Sequence, residues 1–150
     1  MLIDGAAARP NGLTLTDDGN TLIVDDTIGP TLFAYDVQPD GTVKNKRAFA
    51  QLRDIPAGTE SGADGLALVA TTASTSTTVA GVQVFDAKGQ YLGTIKAGRQ
   101  AANVAFGGPG KSTLYLTARG SAFFVHALSG LRLTVICVRL RHGTIAVQRR

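Results

Sequence analysis

Asn11 and Asp64 each stand immediately before a glycine and an apolar strand pattern, in Arg9-Pro10-Asn11-Gly12-Leu13-Thr14-Leu15 and in Ala63-Asp64-Gly65-Leu66-Ala67-Leu68. A third segment, Ala102-Asn103-Val104-Ala105-Phe106-Gly107-Gly108, repeats the theme. Side-chain carbonyl and carboxylate oxygens are the donors that hard divalent cations take. If three short strands with such heads converge on a common axis, their oxygens converge on one point. The chemistry on offer is an oxygen-rich cation site. The competing reading is structural, because Asx residues before glycine also close turns through their own backbone.

The elements that must position these heads recur. Asn11 to Asp64 is 53 residues and Asp64 to Asn103 is 39, a mean of 46. Repeats of about 40–50 residues built from several strands are the mark of propeller blades. Asp18-Gly19-Asn20-Thr21-Leu22-Ile23-Val24 parallels Gly110-Lys111-Ser112-Thr113-Leu114-Tyr115-Leu116, a polar turn and then an alternating strand. Thr31–Val37 and Gly81–Asp86 both read as an aromatic residue, then Asp, then a turn. Alternation between turn residues predicts strands at 12–16, 21–26, 31–37 and 46–52 in a first blade. It predicts 65–69, 81–85 and 90–95 in a second blade, and 104–106, 113–118 and 122–125 in a third. Asp18-Gly19 and Asp40-Gly41 supply the positive φ of tight hairpins. No stretch carries a capped helical stripe, so the expected class is all-β.

The strings Pro10-Asn11-Gly12-Leu13, Asp64-Gly65-Leu66-Ala67, Gly81-Val82-Gln83-Val84-Phe85-Asp86, Asn103–Gly108 and Leu114-Tyr115-Leu116-Thr117-Ala118 together resemble the C-terminal half of the gluconolactonase/regucalcin family. The resemblance covers residues 8–125. It implies a partial six-bladed β-propeller of roughly three four-stranded blades. It further implies one divalent cation, Ca²⁺ or Zn²⁺, in the central channel, and hydrolysis of a sugar lactone or related ester. Asn11 and Asp64 fall on the family's metal ligands, and Asp64 on its general base. Asn103 is carried as a channel-lining residue that could meet substrate.

The departures are equally specific. The family's glutamate ligand and its substrate-binding Arg and Asn lie in a first half that this chain does not contain. Glu60, four residues before Asp64, is not assigned as a substitute. Asp25 and Asp26 read as strand caps. Between Leu68 and Gly81 the family's Asp-rich turn and aromatic strand are replaced by a Ser/Thr-rich run, which still has strand propensity. Two functional classes therefore remain open: a metal-dependent esterase, and a non-catalytic propeller fragment serving as scaffold or binding module. On either reading, blade faces left open by a partial ring predict self-association.

Composition narrows the field. Glycine is 18 of 150 residues, as many tight turns require. Residues 1–125 hold 10 basic and 11 acidic side chains, while 126–150 hold five Arg and no acid, so the net charge of +4 belongs to the tail. That tail, 126–150, is outside the family pattern. Its segment Leu131–Leu140 is apolar enough to add a strand, and it lacks the aromatic interleaving expected of a nucleic-acid arm. No partner nucleic acid or membrane is expected, since no signal peptide or span is visible; the default compartment is the cytoplasm. Cys137 is the only cysteine, so no disulfide or thiolate cluster can form within the chain. His126 and His142 have no acidic partner spaced to orient them. Ala105–Ser112 nearly spells a phosphate-binding loop, but the alternating Thr113–Thr117 that follows predicts a strand where that chemistry needs a helix.

Overall fold

Alternating apolar strands punctuated by Asx-Gly turns can bury both sheet faces only by stacking sheet on sheet, and that is the arrangement found. The computed structural model describes residues 8–69, 73–96 and 98–118 and, as backbone, 121–128, 132–141 and 144–149. The first sheet holds β1 (Pro10–Leu15), β2 (Thr21–Asp26), β3 (Thr31–Val37) and β4 (Val43–Gln51). The second holds β5 (Leu66–Val69), β6 (Ala73–Thr78), β7 (Gly81–Asp86) and β8 (Tyr91–Ile95). The third holds β9 (Ala101–Gly107), β10 (Thr113–Ala118), β11 (Ser121–Leu128), β12 (Arg132–Arg141) and β13 (Thr144–Arg149). Within each sheet the strands follow chain order and pair antiparallel. The leading strands stand side by side, β1 by β5 and β5 by β9. The chain is a partial β-propeller of three blades.

Two differences from expectation have simple causes. The third sheet has five strands rather than four, because the apolar 132–141 segment pairs along β11, with Phe123 opposite Cys137, and β13 folds back onto it. The boundary expected at 125–126 thus falls inside β11. His142 lies outside the described residues, as do the side chains of His126 and Cys137. The Ser/Thr run forms β6 although it lacks the family's turn signal. The buried Ser74 hydroxyl has no partner among the described residues, but those of Thr75 and Thr78 find backbone acceptors, on Ala67 at 3.2 Å and on Gly81 at 2.9 Å. Satisfying them locally lets a polar strand lie inside a stack of sheets.

The turns follow the sequence. Gly19, Gly41 and Gly89 adopt φ of 71°, 79° and 77°, the region where a Cβ is disfavoured. The preceding acids brace them: Asp18, Asp40 and Asp86 accept N–H groups from Asn20, Thr42 and Lys88. The phosphate-loop look-alike is a single 3-10 turn at Pro109–Lys111 that leads into β10, not into a helix.

Two cores hold the three sheets together. Ile23, Leu32, Ala50, Leu66 and Phe85 pack between the first and second sheets. Val82, Ile95, Val104, Leu114 and Leu116 pack between the second and third. Strand β7 serves both, Val82 and Val84 facing one way and Phe85 the other. Phe85 is 0% exposed and meets Tyr91 edge-to-face at 6.0 Å between ring centroids. Truncating it leaves a cavity between blades, so Phe85→Ala should cost about 3–5 kcal/mol in urea unfolding. A loss under about 1 kcal/mol would show that this core does not couple the first two blades.

Candidate functional site

The three heads sit against one another because glycine follows two of them. Neither Gly12 nor Gly65 has a left-handed φ, so the Asn11-Gly12 and Asp64-Gly65 pairs are not turn closures. They are close-packing points. A Cβ on Gly12 would collide with the Asp64 carbonyl oxygen and come within 2.7 Å of Asp25 Oδ2. A Cβ on Gly65 would lie 2.6 Å from the Asn103 Cα. Real side chains do not approach this closely, so the missing methyl is what admits the next head.

Threonine bridges repeat the same logic. The Thr27 hydroxyl accepts the Asn11 side-chain N–H at 3.3 Å and donates to the Ala63 carbonyl at 2.9 Å. The Thr77 hydroxyl accepts the Gly65 N–H at 2.8 Å and donates to the Ala102 carbonyl at 3.2 Å. Each threonine therefore accepts a hydrogen bond from one head pair and donates one to the carbonyl just before the next. Ser61, fully buried, adds a clamp: its hydroxyl donates to the Asp26 carbonyl at 2.9 Å and accepts the Ala63 N–H at 3.2 Å.

The individual side chains differ in availability. Asn11 is exposed, and its amide nitrogen is committed to Thr27, which leaves Oδ1 as the free donor atom. Asp64 is half-buried. Asn103 is exposed, but its Oδ1 already accepts the Val104 N–H at 2.8 Å. Glu60 is exposed and paired with Arg9, so it is engaged away from the heads.

Asp25 departs from the strand-cap expectation. It is 0% exposed; Oδ1 accepts the Gly12 N–H at 2.7 Å, and Oδ2 has no hydrogen-bond partner. Burial pushes its carboxyl up to about 7; the Gly12 N–H and, more weakly, the Asn11 N–H oppose this, and the negative Asp64 and Asp26 add to it. Asp26 does behave as a cap. Its oxygens accept the N–H groups of Ala8, Arg9 and Ile28, and these bonds outweigh desolvation and hold it below the ordinary carboxylate range. The signal that could have separated them is strand alternation: Ile23 faces the second sheet, so Asp25, two residues on, faces it too.

A divalent cation fits this donor set in part. Asn11 Oδ1, the Asp64 carboxylate and the orphaned Asp25 Oδ2 are hard oxygens in a locally negative setting, which suits Ca²⁺ better than a soft-ligand metal. Among the described residues no three His, Cys, Asp or Glu side chains gather into a metal cage on their own.

Gly65→Ala tests the close approach between these heads. The added methyl meets the Asn103 backbone as well as its side-chain oxygen, so rotating that side chain away does not relieve the clash, and it should cost about 2–3 kcal/mol by the overpacking rule. Gly93→Ala, where nothing lies within 4 Å of the new methyl, is the matched control. Thermal unfolding that shows equal losses for both would remove the packing explanation.

The family model for the SMP-30/gluconolactonase/LRE-like region matches residues 2–120. A gluconolactonase from Xanthomonas campestris is 33% identical, with a TM-score of 0.60 over 73% of this chain and 34% of that one. A luciferin-regenerating enzyme is 23% identical, with a TM-score of 0.65 over 75% of this chain and 38% of that one. Regucalcin from Agrobacterium tumefaciens, described as a calcium-binding protein, is 23% identical, with a TM-score of 0.62 over 73% and 37%. The last two likenesses carry the fold alone. No curated protein sequence matches the chain. The chain thus spans 34–38% of the length of these structures. With its head-to-head inner strands and a family match over most of its length, the chain belongs to the SMP-30/gluconolactonase/LRE-like family.

Proposed function

We propose that this chain supplies part of the active site of a metal-dependent hydrolase of sugar lactones or related esters. The observation that carries the reading is the adjacency of Asn11 and Asp64, locked by Gly12 and Thr27, with their oxygens left unspent on structure. Asn11 and Asp64 would hold the cation, Ca²⁺ or Zn²⁺. When bound, such an ion polarises an ester carbonyl and lowers the pKa of water. The Asp64 carboxylate takes a proton from the attacking water, whose oxygen bonds to the carbonyl carbon. The ring C–O bond then breaks, and the proton passes to the alkoxide oxygen, giving the open hydroxy acid. Asn11 contributes a neutral donor whose orientation Thr27 sets, and exposed Asn103 lines the approach for substrate.

A pH-indicator assay with simple aldonolactones checks this directly. Turnover should depend on added divalent cation, fall by at least about 100-fold in Asp64→Ala, as loss of a general base does, and fall less in Asn103→Ala. Metal-independent background hydrolysis in every variant would favour the second reading, a non-catalytic scaffold or binding module. One observation supports that alternative: the described carboxylate nearest in sequence to Asp64, Glu60, is bound to Arg9 instead of facing the heads.

The partner expected from the fold is a second copy of this chain. Leu13 and Leu15 on β1 are 63% and 50% exposed, on the face turned away from the second sheet. They lie beside Leu22 and Val24 across the β1–β2 register, with Phe33 next to Val24 under the Lys46 ammonium. Interior blades of a propeller cover such a face with a neighbouring blade. Light scattering after size-exclusion chromatography should give a mass well above 15.5 kDa. The double variant Leu13→Lys/Leu15→Lys should shift it toward the monomer. A parent that elutes as a sharp monomer would overturn the self-association.

A further inference from the structure

We infer that Asp25 is a third oxygen donor of the Asn11–Asp64 cation site, with Oδ1 holding the first head in place and Oδ2 kept for the ion. The inference rests on the cation reading above and adds to it a residue outside the Asn-Gly and Asp-Gly heads. Asp25 ends an apolar strand and is wholly buried between the first and second sheets. Its Oδ1 is committed to the Gly12 N–H, while Oδ2 has no partner. The charges that bear on it, Asp64 and Asp26, are both negative. A buried carboxylate without a counter-charge is costly, so it must be met by a proton or by a cation.

Three further features favour the cation. Asp26, the next residue, shows that the local backbone can satisfy a carboxylate with three N–H groups when structure alone is at stake. Asp25 Oδ2 receives none. Asp25 Oδ2 and the Asp64 carbonyl oxygen both crowd the position a Gly12 Cβ would take, so Oδ2 sits beside the Asp64 head. Finally, two protein oxygens are few for a hard cation, which takes six to eight in all, and Asp25 raises the count while adding charge.

Calorimetric Ca²⁺ titrations of the whole 150-residue chain, its Asp25→Asn variant and its Asp64→Asn variant decide the matter. Each is run well below the melting temperature measured without Ca²⁺, so that affinity alone is read. Asp25→Asn should weaken Ca²⁺ binding by about 10- to 100-fold, the range found when groups supporting a metal are removed. Its metal-free melting temperature should stay level or rise, because the amide keeps the shape and removes a buried acid. Affinity within about twofold of the parent, with binding lost in Asp64→Asn, would overturn the inference while leaving the cation site standing. No Ca²⁺ binding by the parent would overturn both.

Discussion

Everything in this structure depends on how closely the leading strands of neighbouring blades approach one another. Sheets packed face to face normally stand about 10 Å apart, a gap that no pair of short side-chain oxygens can bridge. At the heads, glycine collapses that gap until backbone touches backbone: Gly12 against Asp64, Gly65 against Asn103. Thr27 and Thr77 then fasten each approach with one accepted and one donated hydrogen bond. These bonds are local in energy, about 1 kcal/mol apiece, but their effect on geometry is general. They convert three separate repeats into one continuous row of polar heads.

Much of the fold was legible in the sequence because its signals are periodic and short-range. Turn glycines at 19, 41 and 89 and the alternation of Thr21–Asp26, Thr31–Val37 and Gly81–Asp86 need no knowledge of distant contacts. The heads were legible as a repeat, yet the role of their glycines was not. An Asx-Gly pair looks the same in sequence whether glycine serves a positive φ or a close approach, and only the neighbouring blade distinguishes them. Strand β6 was hard to read for the opposite reason. Its hydroxyls suit a loop as well as a buried strand, and their acceptors on Ala67, Gly81 and Ala102 are supplied by other strands. Asp25 was obscured by Asp26: the doubled acid resembles a polar strand end, and its significance appears only when one of the two is seen to face the core.

That pair also shows how the same side chain acquires opposite electrostatics over one residue. Asp26 is ringed by N–H donors and is stabilised as an anion. Asp25 is driven up to about 7 by burial, with carboxylates as its charged neighbours. A folded-state value above the unfolded one means that its contribution to stability is complete at acid pH and lost as the pH rises through about 7. Destabilised polar groups of this kind concentrate where a fold serves chemistry.

The three blades are not equivalent, and the difference bears on what the chain can do. The second blade is apolar on both faces, since β7 feeds the core on either side. The first blade is apolar on both faces too, but only the side bearing Ile23 and Leu32 is covered by the second sheet; Leu13 and Leu15 look outward. A sequence that patterns an outer blade like an interior one encodes a neighbour that the described residues do not supply. The Asn11 and Asp64 heads lie along that same row of leading strands. On the cation reading proposed above, covering the apolar face and completing the donor set are one geometric requirement. A strand that packs on Leu13 and Leu15 continues the row of leading strands, and its own head would fall beside Asn11. On that reading, stability and chemistry in this chain are tied to the same contact.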